Sequence, residues 1–197
     1  MKTLFKKTIF RCVWEGVFSS SLDVFKNLRA EDIHETTITL RTDDGIVYDL
    51  KVTQELSDNL IELSKNHAWE RSNRYGYFNV PAVGLYPDSC FKIENRKGIV
   101  DAENTKHVYW RIIREISNTY IQSPHCHAKQ IFFSGIMYRI ALKLKSEGIS
   151  LDEAFAYDCK DRLATKIIID ELRRCNVTTL PRSFKETVDG YLDSFKI

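Results

Sequence analysis

Three side chains that commonly bind metals stand together at His125, Cys126 and His127. Imidazole nitrogen and thiolate sulfur are ligands that zinc accepts readily in proteins. However, no second Cys or His pair follows at zinc-finger spacing, and His107 belongs to the far end of the preceding predicted helix. We therefore interpret this stretch as a polar helix junction and predict no cofactor. A divalent metal held by His125, Cys126 and His127 is the alternative.

Thiol chemistry is a second possibility, at Cys90. A neighbouring imidazole such as that of His125 or His127 would lower the pKa of the Cys90 thiol and create a thiolate nucleophile. The chain order, Cys before His, is that of papain-like enzymes, but the residues around Cys90 carry no local signature of such a family. We expect a buried structural cysteine.

The triplet Asp49-Leu50-Lys51 places an acid and a lysine on one face of a predicted strand. Together with Asp43 or Asp44 they could hold a divalent metal that activates water against a phosphodiester. The order of elements over residues 19–70 resembles the core of PD-(D/E)xK nucleases, although the Pro-Asp dipeptide is missing. The resemblance implies a metal-dependent phosphodiesterase using Asp44, Asp49 and Lys51. We keep this as an alternative to a solvated polar strand face.

The stretch from Glu103 to Lys145 is locally basic, with seven Lys and Arg residues against two acids. Cationic side chains neutralise phosphates, and exposed aromatic side chains stack on bases. We predict a binding surface for nucleic acid or a protein–nucleic-acid complex. Its predicted residues are Lys106, Arg111, Arg114, Lys129 and Arg139, with Tyr75 and Tyr77 from the preceding segment.

The expected role is therefore a non-enzymatic interaction or regulatory protein, with a protein-binding inhibitor or adaptor as a further alternative to the nuclease. The sequence has no GxxxxGK[ST], GxGxxG, HExxH or GxSxG motif. Their absence disfavours nucleotide-dependent enzymes, zincins and α/β-hydrolases.

Composition sets the broad class. The 197 residues are 43% hydrophobic and 28% charged, with a net charge of +2, which is typical of a folded globular chain. Five scattered cysteines without a CxxC pair predict reduced thiols and a cytoplasmic location. No apolar run approaches the ~20 residues of a membrane span, and no apolar stretch follows the basic N-terminus as in a signal peptide. We expect no membrane partner.

The elements that must position these residues are predicted as follows. Residues 8–14 favour a strand, and Ser19 to Ser21 begin a short helix that runs to Asp32. Residues 36–53 alternate around Asp43-Asp44-Gly45, which predicts a β-hairpin. A helix over 54–70 follows, with Trp69 in its apolar stripe. Residues 71–100 are predicted to be irregular, with short strands near 77–80 and 90–94.

The second half is predicted to be helical. One helix begins at Asp101 and stops at Pro124, a buried central helix covers 126–146, a long helix covers 150–176, and a last one begins at Ser183. Strand patterns fall before residue 100 and helices after it, which predicts an α+β fold. We expect one compact domain over 1–197, in which a β-rich layer (1–100) packs against about four helices (101–197).

Overall fold

A computed structural model describes residues 2–94, 102–122, 126–155 and 160–177 of the chain. The helices are α1 (Lys2–Glu15), α2 (Asp23–Asn27), α3 (Gln54–Ser64), α4 (Ala102–Ile116, continued by a π-helical turn Ser117–Ile121), α5 (Ala128–Ser146), α6 (Leu151–Phe155) and α7 (Arg162–Arg174). The strands are β1 (Ile33–His34), β2 (Thr37–Arg41), β3 (Val47–Lys51), β4 (Ala68–Asn73), β5 (Gly76–Val83) and β6 (Ile93–Glu94).

The strands form two small antiparallel sheets, β1-β2-β3 and β4-β5-β6, here called the first and second sheets. All described strands precede residue 95, and every described element from Ala102 onward is helical. The α+β prediction is confirmed. None of the described helices is long and apolar enough to cross a membrane.

The prediction of a strand over 8–14 is wrong, because this stretch belongs to helix α1. Its β-favouring residues are also spaced as a helical stripe, in which Phe5, Ile9, Cys12 and Val13 are all buried. This stripe packs against α5, α4 and α3. Burial of one continuous face therefore outweighs the local β propensity.

Helix α5 is the buried central helix that the sequence predicts, with Ile136, Met137 and Ile140 fully enclosed. Its contact with α1 depends on Gly135. A Cβ atom added there would lie 1.9 Å from the backbone oxygen of Trp14. Only glycine allows the end of α1 to approach α5 this closely.

The first hairpin forms as predicted, with Ile38 opposite Leu50 and Leu40 opposite Tyr48. Gly45 takes φ +85° in its turn, a conformation that glycine adopts without strain. The helix predicted to reach Asp32 is shorter. Helix α2 ends at Asn27, and Ala30–Asp32 form a separate 3₁₀ turn.

The second sheet corrects two predictions. Helix α3 ends at Ser64 rather than at 70, so Trp69 lies in β4 and not in a helical stripe. Within the segment 71–100 that was predicted to be irregular, residues 71–83 instead continue this strand into a long hairpin. Residues 84–92 are irregular as predicted, and residues 95–100 lie outside the described residues. The predicted strand 77–80 lies inside β5, and only the last two residues of 90–94 form a strand.

The predicted helix over 150–176 is also wrong as one element. Lys160 and Asp161 are not helical, and Asp161 caps a new helix by accepting from the backbone N–H groups of Leu163 and Ala164. The capping box at Ser150 and Glu153 is confirmed by reciprocal bonds of 3.1 and 3.2 Å. The predicted helix ends at Asp101 and Pro124, and the last helix from Ser183, lie outside the described residues.

Candidate functional site

The tip of the β4–β5 hairpin exposes an unusual density of aromatic side chains. Tyr75 and Tyr77 are each 80% exposed, and Phe78 is 46% exposed. The guanidinium of Arg74 lies 4.6 Å from the centre of the Tyr75 ring. The turn is held by Asn73, whose side-chain oxygen accepts from the Tyr75 backbone N–H at 2.8 Å. A fixed turn therefore presents large apolar surfaces and a cation to solvent.

The strand register decides which of these side chains share a face. Arg71 pairs with Phe78 and Trp69 pairs with Val80, so all four lie on one face of the hairpin. Ser72 pairs with Tyr77, which places Tyr77 on the opposite face. Phe78 therefore extends the face that carries the buried Trp69.

A cleft of about 670 Å³ lies between this face, α1 and α4. Its walls carry four cationic side chains, two carboxylates and an apolar floor. They comprise Lys6, Arg71, Lys92, Arg111, Glu94 and Glu115, with Phe5, Trp69, Ile93, Val108 and Ile112. The floor joins the main core, because the Phe5 ring lies edge-on to Trp69 at 5.1 Å and to Phe91 at 5.7 Å.

Two of the four cations in the cleft have carboxylate partners. Lys6 Nζ lies 2.5 Å from Glu115 Oε1, and Arg71 forms an ion pair with Glu94. Arg111 is exposed and has no hydrogen bond or ion pair within the described part of the chain. The cleft therefore keeps a positive excess on the α4 side.

Lys92 is the second cation without a carboxylate partner among the described residues. It is almost fully buried, and its ammonium donates to the backbone oxygen of Ser64 at 2.6 Å. Burial lowers the pKa of Lys92. On the same wall, the enclosed Trp69 Nε1 and Arg71 Nε donors find no acceptor within the described residues. Of these groups, the Lys92 ammonium is the one that lines the cleft with donors unused among the described residues.

The predicted basic surface separates into two groups. Arg111 and Arg114 are exposed on α4, and neither has a partner among the described residues. Lys129 is exposed and lies 6.0 Å from the Phe133 ring. Lys106 lies 3.6 Å from Asp43, and Arg139 points inward. The accessible cations on α4 are therefore Arg111 and Arg114.

Arg139 belongs to a buried ion cluster around Glu171. The Glu171 carboxylate, almost fully enclosed, lies 2.6 Å from Arg139, 3.0 Å from Lys143 and 2.8 Å from Arg174. Burial raises the pKa of Glu171, but hydrogen bonds from Arg174 and Arg139 outweigh it and hold the pKa below its usual value. Arg139 also donates to the backbone oxygen of Trp14 at 2.5 Å. This cluster ties α5 and α7 to the end of α1.

The candidate nuclease residues occupy different surroundings. Asp49 and Lys51 are exposed on the outer face of β3, where Asp49 accepts from the Thr39 hydroxyl at 2.7 Å. Asp44 accepts from the Thr42 hydroxyl and borders a different cavity of about 460 Å³ beside Asp23. Across the described residues, no group of three or more His, Cys, Asp or Glu side chains could hold a metal ion.

Of the His-Cys-His stretch, His125 lies outside the described residues. Cys126 is half-buried, and burial raises the pKa of its thiol. The backbone N–H of His127 donates to Gln130 Oε1 at 2.7 Å at the start of α5. Cys90 is fully buried, and burial raises the pKa of its thiol far above the ordinary value.

The sequence interpretation missed Arg71 and Lys92, which line the cleft, and Phe78, which lies on the same face of the hairpin as Arg71. The available signal was the β-favouring residues Tyr77, Phe78 and Val80, preceded by a turn in which Gly76 takes φ +125°. Recognising that turn would have predicted the hairpin and its two faces. No protein-family model matches the chain, and a comparison with curated proteins found no significant match.

Proposed function

We propose that this protein is a non-enzymatic binder of single-stranded nucleic acid, using the second hairpin and the exposed face of α4. The observation that carries the proposal is the meeting of two features. The β4–β5 hairpin carries the exposed aromatic side chains Tyr75 and Phe78, and Trp69 and Arg71 of the same hairpin line a cleft whose α4 wall carries Arg111. Arg114 follows one turn later on the same helix, also exposed and without a partner among the described residues.

Each feature has a matching part in a nucleic-acid strand. Aromatic rings stack on bases whatever their identity, and this requires bases that are not already stacked in a duplex. Guanidinium groups bind phosphate oxygens through paired N–H donors. Phosphate binding by Arg111 and Arg114 has a small free-energy cost, because no carboxylate among the described residues has to be displaced from either side chain.

The near-neutral net charge of +2 makes this a local interaction rather than an attraction by the whole molecule. We therefore expect moderate affinity that falls as salt rises, with a slope set by a few phosphate contacts.

The test is fluorescence anisotropy with labelled single-stranded RNA, single-stranded DNA and duplex DNA across a salt series. The double variant Arg111→Glu with Arg114→Glu should weaken single-strand binding by about ten-fold or more and reduce the salt slope by roughly one. The matched control is Arg162→Glu with Lys166→Glu, the same charge change at two exposed positions on α7. Equal losses in both variants would show that only overall charge matters and would end the proposal.

The same oligonucleotides, incubated with Mg²⁺ or Mn²⁺, distinguish binding from cleavage. We expect intact strands. Cleavage by the native protein that is lost in Asp49→Ala would replace the proposed binding role with the phosphodiesterase that the Asp49-Leu50-Lys51 triplet suggests.

A further inference from the structure

We propose that the cleft between α1, α4 and the second sheet is a subsite for the terminal phosphate of a nucleic-acid strand, recognising a nucleotide that ends in a phosphomonoester. The inference rests on the proposed function, since it assigns the end of the same strand to a defined place.

The charge of the cleft suits a phosphomonoester better than an internal phosphodiester. Lys6 and Arg71 are paired with Glu115 and Glu94, which leaves two cations without carboxylate partners among the described residues. These are Lys92, just before β6, and Arg111 on α4, both of which line the cleft. A terminal phosphate carries close to two negative charges at neutral pH, whereas a phosphodiester carries one. The dianion therefore balances both cations.

Donor chemistry supports the same ligand. The Lys92 ammonium has three N–H donors, and among the described residues its one hydrogen bond goes to the Ser64 backbone oxygen. An ammonium with unused donors favours a ligand that has only acceptors, and a phosphate monoester presents three terminal oxygens. Burial that lowers the pKa of Lys92 also means that a bound anion would stabilise its charged form.

The size and shape of the cleft fit a nucleotide rather than a bare ion. Its volume of about 670 Å³ is within the range of small-molecule sites, and Phe5, Trp69 and Val108 supply apolar walls. Phe78 lies on the same face of the hairpin as Arg71, so a strand leaving the cleft meets an exposed ring next. The cleft and the hairpin therefore form one continuous path.

The test compares oligonucleotides of about 12 nucleotides with one sequence and an internal fluorophore, carrying a 5′-phosphate, a 3′-phosphate or hydroxyl groups at both ends. We expect one phosphorylated end to bind about ten-fold tighter than the hydroxyl form. Adenosine monophosphates, with the phosphate on the 5′ or the 3′ carbon, are titrated as free nucleotides.

Two variants on α4 provide a matched pair. Arg111→Gln removes a cation that lines the cleft, whereas Arg114→Gln removes an exposed cation one turn away that does not. The preference for the phosphorylated end should disappear in Arg111→Gln and persist in Arg114→Gln. Lys92→Met should also abolish it, with circular dichroism to check folding. If Lys92→Met does not fold, the Arg111 and Arg114 pair decides alone.

The outcomes separate the two proposals. Equal binding of all three oligonucleotides would overturn the terminal-phosphate subsite and leave single-strand binding intact. A phosphate preference that survives Arg111→Gln would place the phosphate elsewhere and overturn the assignment to this cleft. Binding of a free nucleotide without binding of any oligonucleotide would overturn the proposed strand-binding function and, with it, the assignment of the cleft to the end of a strand. No binding of any of these ligands would overturn both.

Discussion

The two sheets of this protein have similar sizes and opposite surroundings. In the first sheet, Ile38, Leu40 and Leu50 turn inward and are buried in the core. In the second sheet, Trp69 is the buried strand residue, while most of the hairpin from Ser72 to Asn79 is exposed. The first sheet is a wall of the core, and the second is a projecting arm attached to the core at one end.

This difference separates residues that stabilise the fold from the residues assigned to the proposed binding surface. The first sheet is stabilised by burial of its apolar side chains, and such burial is the main favourable term in folding. Tyr75 and Tyr77 bury little surface here, so their aromatic character is not explained by the fold. The proposed binding surface would explain it, since Arg71 of the same hairpin lines a cleft with Arg111, which has no partner among the described residues.

The largest change in unfolding free energy should come from the ion cluster around Glu171, which holds α7 against α5 and the end of α1. Glu171→Gln leaves Arg139, Lys143 and Arg174 without a compensating charge, and we expect a loss of about 3–5 kcal/mol in the free energy of unfolding, measured in urea. The exposed Glu147→Gln is the control and should stay within about 0.5 kcal/mol of the native protein. A similar small change for Glu171→Gln would mean that the cluster contributes nothing to stability.

The comparison of the two hairpins can be tested directly with one truncation in each. Leu50→Ala removes a fully buried side chain from β3 and should cost about 2–5 kcal/mol of unfolding free energy. Phe78→Ala removes a half-exposed side chain from β5 and should cost less than about 1 kcal/mol. Equal losses would contradict the division, because they would make the arm as much a part of the core as the first hairpin.

Binding affinity should depend on the β4–β5 hairpin, the one of the two hairpins that contributes less to stability. Tyr75→Ser with Phe78→Ser removes two stacking surfaces, and we expect single-strand affinity to fall about ten-fold or more while the unfolding free energy changes little. The control is Tyr138→Ser, which removes an exposed aromatic ring from α5. Anisotropy titrations measure the affinities. Unchanged affinity in the double variant would exclude the hairpin tip from the binding surface.

The smallest expected effect is a dependence of stability on acid pH. Because the pKa of Glu171 is lower in the folded protein than the ordinary value of 4.5, the unfolded chain binds more protons near and below that pH. The contribution of Glu171 is therefore complete above pH 4.5 and is lost as pH falls through the folded pKa. In urea unfolding between pH 7 and 3, the difference in unfolding free energy between the native protein and Glu171→Gln should narrow toward the acid end. Parallel curves would contradict the shift.

Local patterns were sufficient for several elements of this fold. The turn at Asp43-Asp44-Gly45 and the capping box at Ser150 were predictable because both depend on residues a few positions apart. The buried helix α5 was predictable because its apolar arc is wide. In the candidate site, Arg111, Arg114, Tyr75 and Tyr77 were predicted, and the structure leaves all four exposed.

Other features depended on contacts between distant residues. Arg139 looked equivalent to Arg111 in sequence, yet it forms an ion pair with Glu171, 32 positions away. Nothing in the sequence indicated that Lys92 would line a cleft, since only the folded chain brings it to the cleft that Arg111 also lines. These are long-range electrostatic and packing relationships, and no short window of sequence contains both partners.

The sequence by itself determined the α+β class, the first hairpin and the cationic face of α4, because each follows from local periodicity, turn chemistry or spacing along one helix. Only the tertiary structure decided that residues 8–14 are helical and that Arg139 is internal. It also decided that a cleft lined by four cationic side chains lies at the base of the β4–β5 hairpin. In each case the deciding energy comes from burying a face or pairing a charge against residues far away in the chain.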